Sequence, residues 1–149
     1  MADAVHDRAT HRIAIARHPL YPMLLPIPVV CFIGALLADI AYVRSDGNLT
    51  WLYFSNWLIT AGLVFGGIAA VLGLIDVLRS RGQDRRHGWT HFALFLAAWI
   101  VEFFNAFIHQ RDGWTAVVPT GMTLSIIGVL LILASGWLWQ SARYLGERA

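Results

Sequence analysis

Four apolar stretches, at residues 21–43, 51–78, 92–108 and 114–139, fill most of this chain and decide what it can become. Each has, or nearly has, the roughly 20 apolar residues that carry a helix across the hydrocarbon core of a bilayer. The third is the shortest, and it spans once His91 and His109 sit at the two interfaces, giving 91–109. Backbone polar groups inside lipid must be satisfied within the segment, so runs of this length become helices. The loops at 44–50 and 109–113 are short enough to make consecutive helices antiparallel neighbours. The expectation is an all-α bundle of four transmembrane helices, arranged as two antiparallel hairpins over 18–140. A polar arm (1–17) precedes it and a short tail (141–149) follows it. Composition agrees: 13% of residues are charged, against about 25% in soluble domains.

Every basic residue is an arginine. Nine of the eleven (Arg8, Arg12, Arg17, Arg79, Arg81, Arg85, Arg86, Arg143 and Arg148) fall on one side of this topology, and only Arg44 and Arg111 on the other. The positive-inside rule then places both termini and the 79–90 loop in the cytoplasm. The pI near 9.1 expresses this asymmetry and gives no support to nucleic-acid binding. The first apolar run follows a polar arm without a small-residue cleavage site, so it reads as its own signal anchor. Cys31 is a lone cysteine, which excludes an internal disulfide and a C-x-x-C-H haem attachment.

Within the spans, Pro19, Pro22, Pro26 and Pro28 crowd the start of the first helix. Proline suits a first turn and breaks an interior, so regular helix is expected from Pro26 or Pro28, behind an extended or bent entry. The second helix carries Gly62, Gly66, Ala69, Ala70 and Gly73, small residues that let backbones approach closely. Asp76 shares their face. Aromatic residues at the span ends (Tyr21, Tyr42, Trp51, Trp89, Trp114, Trp137 and Trp139) read as two interfacial belts. A weak internal repeat is also visible. Each hairpin begins with a histidine, His18 or His91, and the outer loops read R-S-D-G-N-L-T-W and R-D-G-W. The Asp-Gly pairs are equally explained as turn chemistry.

Three acids, Asp39, Asp76 and Glu102, lie inside the apolar stretches. An ionisable residue at the centre of a membrane helix costs about 3 kcal/mol on insertion scales, and such residues face the bundle interior. Three constellations follow. The first is a layer at the arginine-rich side, where His18, Asp76 and His91 fall at similar depth on three helices. It reads either as a haem or metal site, with Asp76 orienting an imidazole, or as an interhelical clamp. The second is a stripe on the third helix, on which His91, Ala98, Glu102, Asn105 and His109 share one face. It reads either as a proton, electron or quinol path in which Glu102 titrates, or as a buried polar seam with Glu102 protonated. A proton-coupled carrier built on that stripe needs an oligomer, for which Gly62 and Gly66 offer a packing face. The third is the outer end of the first helix, where Asp39 reads either as an anchor against Asn56, Trp51, Arg44 or Arg111 or as part of a periplasmic ligand site. No phosphate-binding glycine loop, nucleophile elbow or H-E-x-x-H is present.

Several of these residues carry a resemblance. His18-Pro19, Pro22, Pro26-Ile27-Pro28 and Asp39, then Gly62, Gly66 and Gly73-Leu74-Ile75-Asp76, then His91 after a basic loop and Gly136-Trp137-Leu138 near the end, resemble the "domain of unknown function 2231" family of small bacterial four-helix inner-membrane proteins. The likeness covers about residues 18–138. Trp139, Gln140 and the ARYLGERA ending depart from the Gly-Gly pair and Val-rich tail of that family. Glu102 and Asn105 lie outside its pattern. Members are fused to, or encoded near, Rieske iron–sulfur domains, c-type cytochromes and quinoprotein dehydrogenases. The resemblance therefore implies a multi-pass inner-membrane subunit, not an enzyme, that transfers electrons for or anchors a redox partner. It also implies haem b or a metal between His18 and His91. The alternatives remain a purely structural subunit and the Glu102 carrier.

Overall fold

The computed structural model of the chain describes residues 20–80, 83–111 and 116–146, and every regular element among them is a helix. A single turn, α1 (Leu20–Leu24), leads into α2 (Pro26–Arg44), followed by α3 (Leu49–Arg79), α4 (Gln83–His109) and α5 (Thr120–Gly146). Among the described residues four helical spans are long and apolar enough to cross a bilayer: Leu20–Arg44, Leu49–Arg79, Gly88–His109 and Thr120–Ser141. The all-α, four-span expectation holds.

The prolines act where expected, with one correction. Pro26 stands in the first turn of α2, where its missing N–H is no loss. The segment before it, however, is a helical turn and not an extended entry. Leu25 N–H reaches back to Tyr21 O at 3.1 Å, so the chain pauses at Leu25 without unwinding. At the other end of α2, Asp46 (φ 52°) and Gly47 (φ 83°) make the turn. Gly47 N–H returns to Tyr42 O at 3.0 Å, and the Asn48 side chain caps α3 by accepting from Thr50 N–H. Here the Asp-Gly pair is turn chemistry. The second pair, Asp112-Gly113, lies outside the described residues. Helix α5 begins at Thr120, behind Pro119, and the preceding Ala116 and Val117 are tucked fully into the bundle.

Buried positions recur at steps of three and four. On α3 they are Leu52, Ser55, Ile59, Gly62, Gly66, Ala69, Gly73 and Val77. On α4 they include His91, Phe95, Ala98, Glu102, Asn105 and His109. A stripe of this period packs helices at a shallow left-handed crossing. Each span neighbours the next, and α2 closes against α5, so the first and third spans face each other across the diagonal. The large apolar side chains left outside, such as Val71, Phe104 and Leu130, form the surface that lipid would cover.

Two expectations are overturned by this packing. Gly62 and Gly66 are not an oligomer face. A Cβ at Gly62 would strike the Phe32 ring, and one at Gly66 would meet Trp99, whose indole N–H donates to Leu63 O at 2.9 Å. Both glycines are used inside the chain. Tyr21 and Tyr42 do not belong to an interfacial belt either, since they are 3% and 2% exposed. Trp51, Trp89 and Trp137 do face outward, Trp139 packs on Tyr21 and His91, and Trp114 lies outside the described residues.

Candidate functional site

The buried polar side chains gather in two clusters, one toward each end of the bundle. At the end that carries the 45–48 turn, Asp39 of α2 is fully buried and uses both carboxyl oxygens. His109 Nε2 lies 2.9 Å from Oδ1, and Ser125 Oγ of α5 donates to Oδ2 at 2.6 Å. His109 Nδ1 lies 3.1 Å from the Asn105 carbonyl. A carbonyl only accepts, so Nδ1 is the donor in that contact. The Asn105 amide donates to Ser125 Oγ at 2.8 Å and to Glu102 Oε2 at 3.0 Å. Glu102 packs against Gly128 so closely that a Cβ there would overlap its carboxyl group. Glu102 Oε1, Asn105 Oδ1 and Ser55 Oγ are buried without a hydrogen-bond partner.

At the opposite end, His91 of α4 is 2% exposed and both ring nitrogens are engaged. Nδ1 lies 3.0 Å from Ser135 O and so donates to it. Nε2 then accepts from the Tyr21 hydroxyl at 2.7 Å. Ser135 Oγ also lies 2.8 Å from Nδ1 and donates to His91 O at 3.1 Å. Trp139 lies over the ring, with centroids 4.9 Å apart. Tyr21 fits because position 73 is glycine, where a Cβ would press on the phenol. Asp76, half-buried one turn along α3, stands within electrostatic range of Tyr21.

An apolar layer separates the two clusters: Phe32, Ala69, Phe95, Ala98, Val129 and Ile132 pack as one core. The stripe on α4 is therefore a single face, as its spacing implies, but it is not a continuous polar line. It holds one histidine at each end and an apolar interval between His91 and Glu102.

The sequence-derived residues are brought together differently from the expectation. Asp39 does not anchor to Asn56, Trp51, Arg44 or Arg111; it meets His109 and Ser125. Asn56 accepts instead from Gln110, Trp51 packs on Phe54, and Arg44 and Arg111 are exposed. Asp39 thus joins Glu102, Asn105 and His109 in one site. His18 lies outside the described residues. The position next to His91 Nε2 belongs to Tyr21 and not to Asp76. The sequence-derived set assigns Tyr21 to an interface and does not include Ser55, Ser125, Ser135 or Gly128. The signal for the serines was present, because each falls on the three–four stripe of its helix within an otherwise apolar run.

Of the two histidines expected to hold a haem or a metal, the structure describes His91 alone. The nitrogen of His91 that carries a lone pair is taken by Tyr21, and among the described residues no three His, Cys, Asp or Glu side chains form a metal-binding group.

A family model described as "Predicted membrane protein (DUF2231)" matches residues 17–145. No curated protein and no solved structure gives a significant match.

Proposed function

This chain belongs to that family of predicted membrane proteins, and from that premise we propose that it is a non-enzymatic anchor subunit of the bacterial inner membrane, its spans locked by buried polar clamps. The observation that carries this reading is the use of the histidines. Every ring nitrogen of His91 and His109 is spent on a hydrogen bond inside the bundle. Two of these bonds, Tyr21–His91 and Asp39–His109, join the first and third spans, one at each end, and fix their register. A rigid four-helix body of this kind suits the holding of a partner at the membrane. The family resemblance supplies the class of partner: a Rieske protein, a c-type cytochrome or a quinoprotein dehydrogenase. In this reading electrons are carried by the partner, and both termini face the cytoplasm. The electron-transfer variant, with haem b between His18 and His91, requires Tyr21 to release Nε2.

The test is a reduced-minus-oxidised spectrum of the detergent-purified protein, together with melting curves of His91→Ala and His109→Ala with and without added haem. The anchor reading expects no Soret or α band, and losses of stability that haem does not alter. A haem band that disappears in His91→Ala would replace it with the electron-transfer reading.

A further inference from the structure

We propose that the loop-end half of the seam between α3 and α4 holds one glycerophospholipid. Its acyl chain lies on the ridge of Trp99, Phe103 and Phe107, its ester group at the Asn56–Gln110 amide pair and its phosphate at Arg111. The inference stands apart from the anchor reading, because it concerns what covers one lipid-facing seam and not what the bundle attaches to. Of the consecutive spans, α3 and α4 pack the least closely. A cleft of about 260 Å³ opens between them, lined by Asn56, Trp57, Thr60 and Gln110. Gln110 Nε2 donates to Asn56 Oδ1 at 3.1 Å, and Thr60 Oγ1 donates to the Asn56 carbonyl at 2.8 Å.

The depth of this cleft is set by the spans. The third span ends at His109, so Gln110 stands where hydrocarbon gives way to headgroups, and its bond holds Asn56 at that level. Helix α3 has 31 residues, about 46 Å at 1.5 Å per residue, and so has turns to spare beyond a core of roughly 30 Å. Trp57, exposed beside Asn56, then sits at the boundary depth that indoles favour. From Gln110 toward the bundle centre the ridge passes Phe107, Phe103 and Trp99. Ring centroids are 5.1 Å apart for Phe107 and Phe103, and 5.6 Å for Phe103 and Trp99. Eleven residues bring Gln110 and Trp99 onto one face of α4, about 16 Å apart along the axis. One leaflet contributes about 15 Å of hydrocarbon. At its inner end the ridge is closed by Trp99, whose indole N–H crosses to Leu63 O at 2.9 Å beside Gly66 and Gly67. The track has the length of one acyl chain.

The head of the track selects the occupant. One side-chain N–H of Gln110 and both of Asn56 have no partner among the described residues. They are donors for the ester and phosphate oxygens found at this depth. Arg111, exposed one residue beyond Gln110, adds a guanidinium, the cation suited to phosphate. Aromatic, amide and guanidinium groups therefore follow one another in the order of acyl chain, ester and phosphate. A second copy of the chain is the poorer occupant. A two-fold axis along the membrane normal through this seam would set Arg111 against Arg111 at one depth, like charge on like.

Native mass spectrometry of the full chain tests this, with phosphatidylglycerol, or diacylglycerol of the same chains, added to the delipidated protein in detergent. The wild-type chain should retain one phosphatidylglycerol and hold it through stronger collisional activation than diacylglycerol. Asn56→Leu combined with Gln110→Leu should lose the bound lipid, as should Thr60→Trp, which fills the cleft. Leu130→Trp, on the exposed face of α5, should keep it. Arg111→Gln should remove the preference for phosphatidylglycerol and leave diacylglycerol retention as in the wild type. Melting temperatures certify the fold of each variant, and Thr60 and Arg111 are exposed positions at which substitution is tolerated. A wild-type chain that retains no lipid overturns the site, as does retention unchanged in Thr60→Trp or equal for the two lipids. A dimer that Thr60→Trp dissolves would assign the seam to a second copy instead.

Discussion

Asp39 and His109 meet at 2.9 Å across the diagonal of the bundle, 70 residues apart in sequence. Tyr21 and His91 repeat that separation at the other end, at 2.7 Å. Tyr21 to Asp39 and His91 to His109 are each 18 residues, about five turns at 3.6 residues per turn. The first and third spans thus run parallel and in register, and each turns the same face inward at both ends. Two of the four contacting groups, Asp39 and His91, belong to the motifs that carry the family resemblance. The diagonal is the frame on which the rest of the bundle closes.

Breaking one member of the loop-end pair is expected to cost far more than removing both. Asp39→Ala leaves His109 and Ser125 buried without their acceptor, and the loss of a buried partner is worth about 3 kcal/mol. Asp39→Leu combined with His109→Leu replaces the pair by apolar volume and should recover most of that loss. Unfolding of the single and double variants in detergent measures it. A double variant as unstable as the sum of the two singles would contradict the clamp.

Gly128 and Gly136 make an internal comparison on one helix. A methyl group at 128 would overlap the Glu102 carboxyl, whereas one at 136 meets nothing within 4 Å. Gly128→Ala should destabilise by about 1–3 kcal/mol, the usual cost of overpacking. Gly136→Ala should be neutral or stabilising, by up to about 1 kcal/mol, through helix propensity alone. Glu102→Ala in the Gly128→Ala background should relieve the collision. Thermal melts of the three proteins decide it.

At the terminal end the hydroxyl of Tyr21 can be removed without its ring. Tyr21→Phe deletes one hydrogen bond to His91 Nε2 and should cost about 1 kcal/mol. His91→Ala strips the partner from Tyr21 and Ser135 and opens a cavity beside Trp139, so its cost should exceed that of Tyr21→Phe by at least 1 kcal/mol. Equal losses in the two variants would show that the imidazole makes no bond beyond the tyrosine.

The spans were legible because lipid imposes one rule on every residue: apolar side chains outside, backbone satisfied within. The face of α4 was legible too, since His91, Glu102, Asn105 and His109 keep helical spacing. What faces that stripe was not. Sequence spacing offers Asp39 four partners in or beside the two outer loops, and the observed ones lie within α4 and α5, 70 and 86 residues away. Nothing in the apolar run around Ser125 marks it as their meeting point except its place on the three–four stripe. Tyr21 misled for a physical reason. An aromatic hydroxyl at a span end serves an interface as well as it serves a buried histidine, and only the glycine at 73, on another helix, makes room for the second role. Tyr21 also bears on the haem expectation, because its hydroxyl lies 2.7 Å from Nε2 of His91, while His18 lies outside the described residues.

The arginine asymmetry makes a prediction about orientation. Arg79 and Arg86 are exposed at the terminal end of the bundle, and Arg44 and Arg111 at the loop end. Counted over the whole sequence, nine arginines lie on the first side and two on the second, which should hold the terminal end in the cytoplasm. Cys31 is the single native thiol and sits within the first span, so Cys31→Ala supplies a clean background. In that background Ser45→Cys, on the exposed turn after α2, should react with a membrane-impermeant maleimide added to intact spheroplasts. Arg86→Cys should react only after the membrane is opened. Labelling in the reverse order would invert the topology.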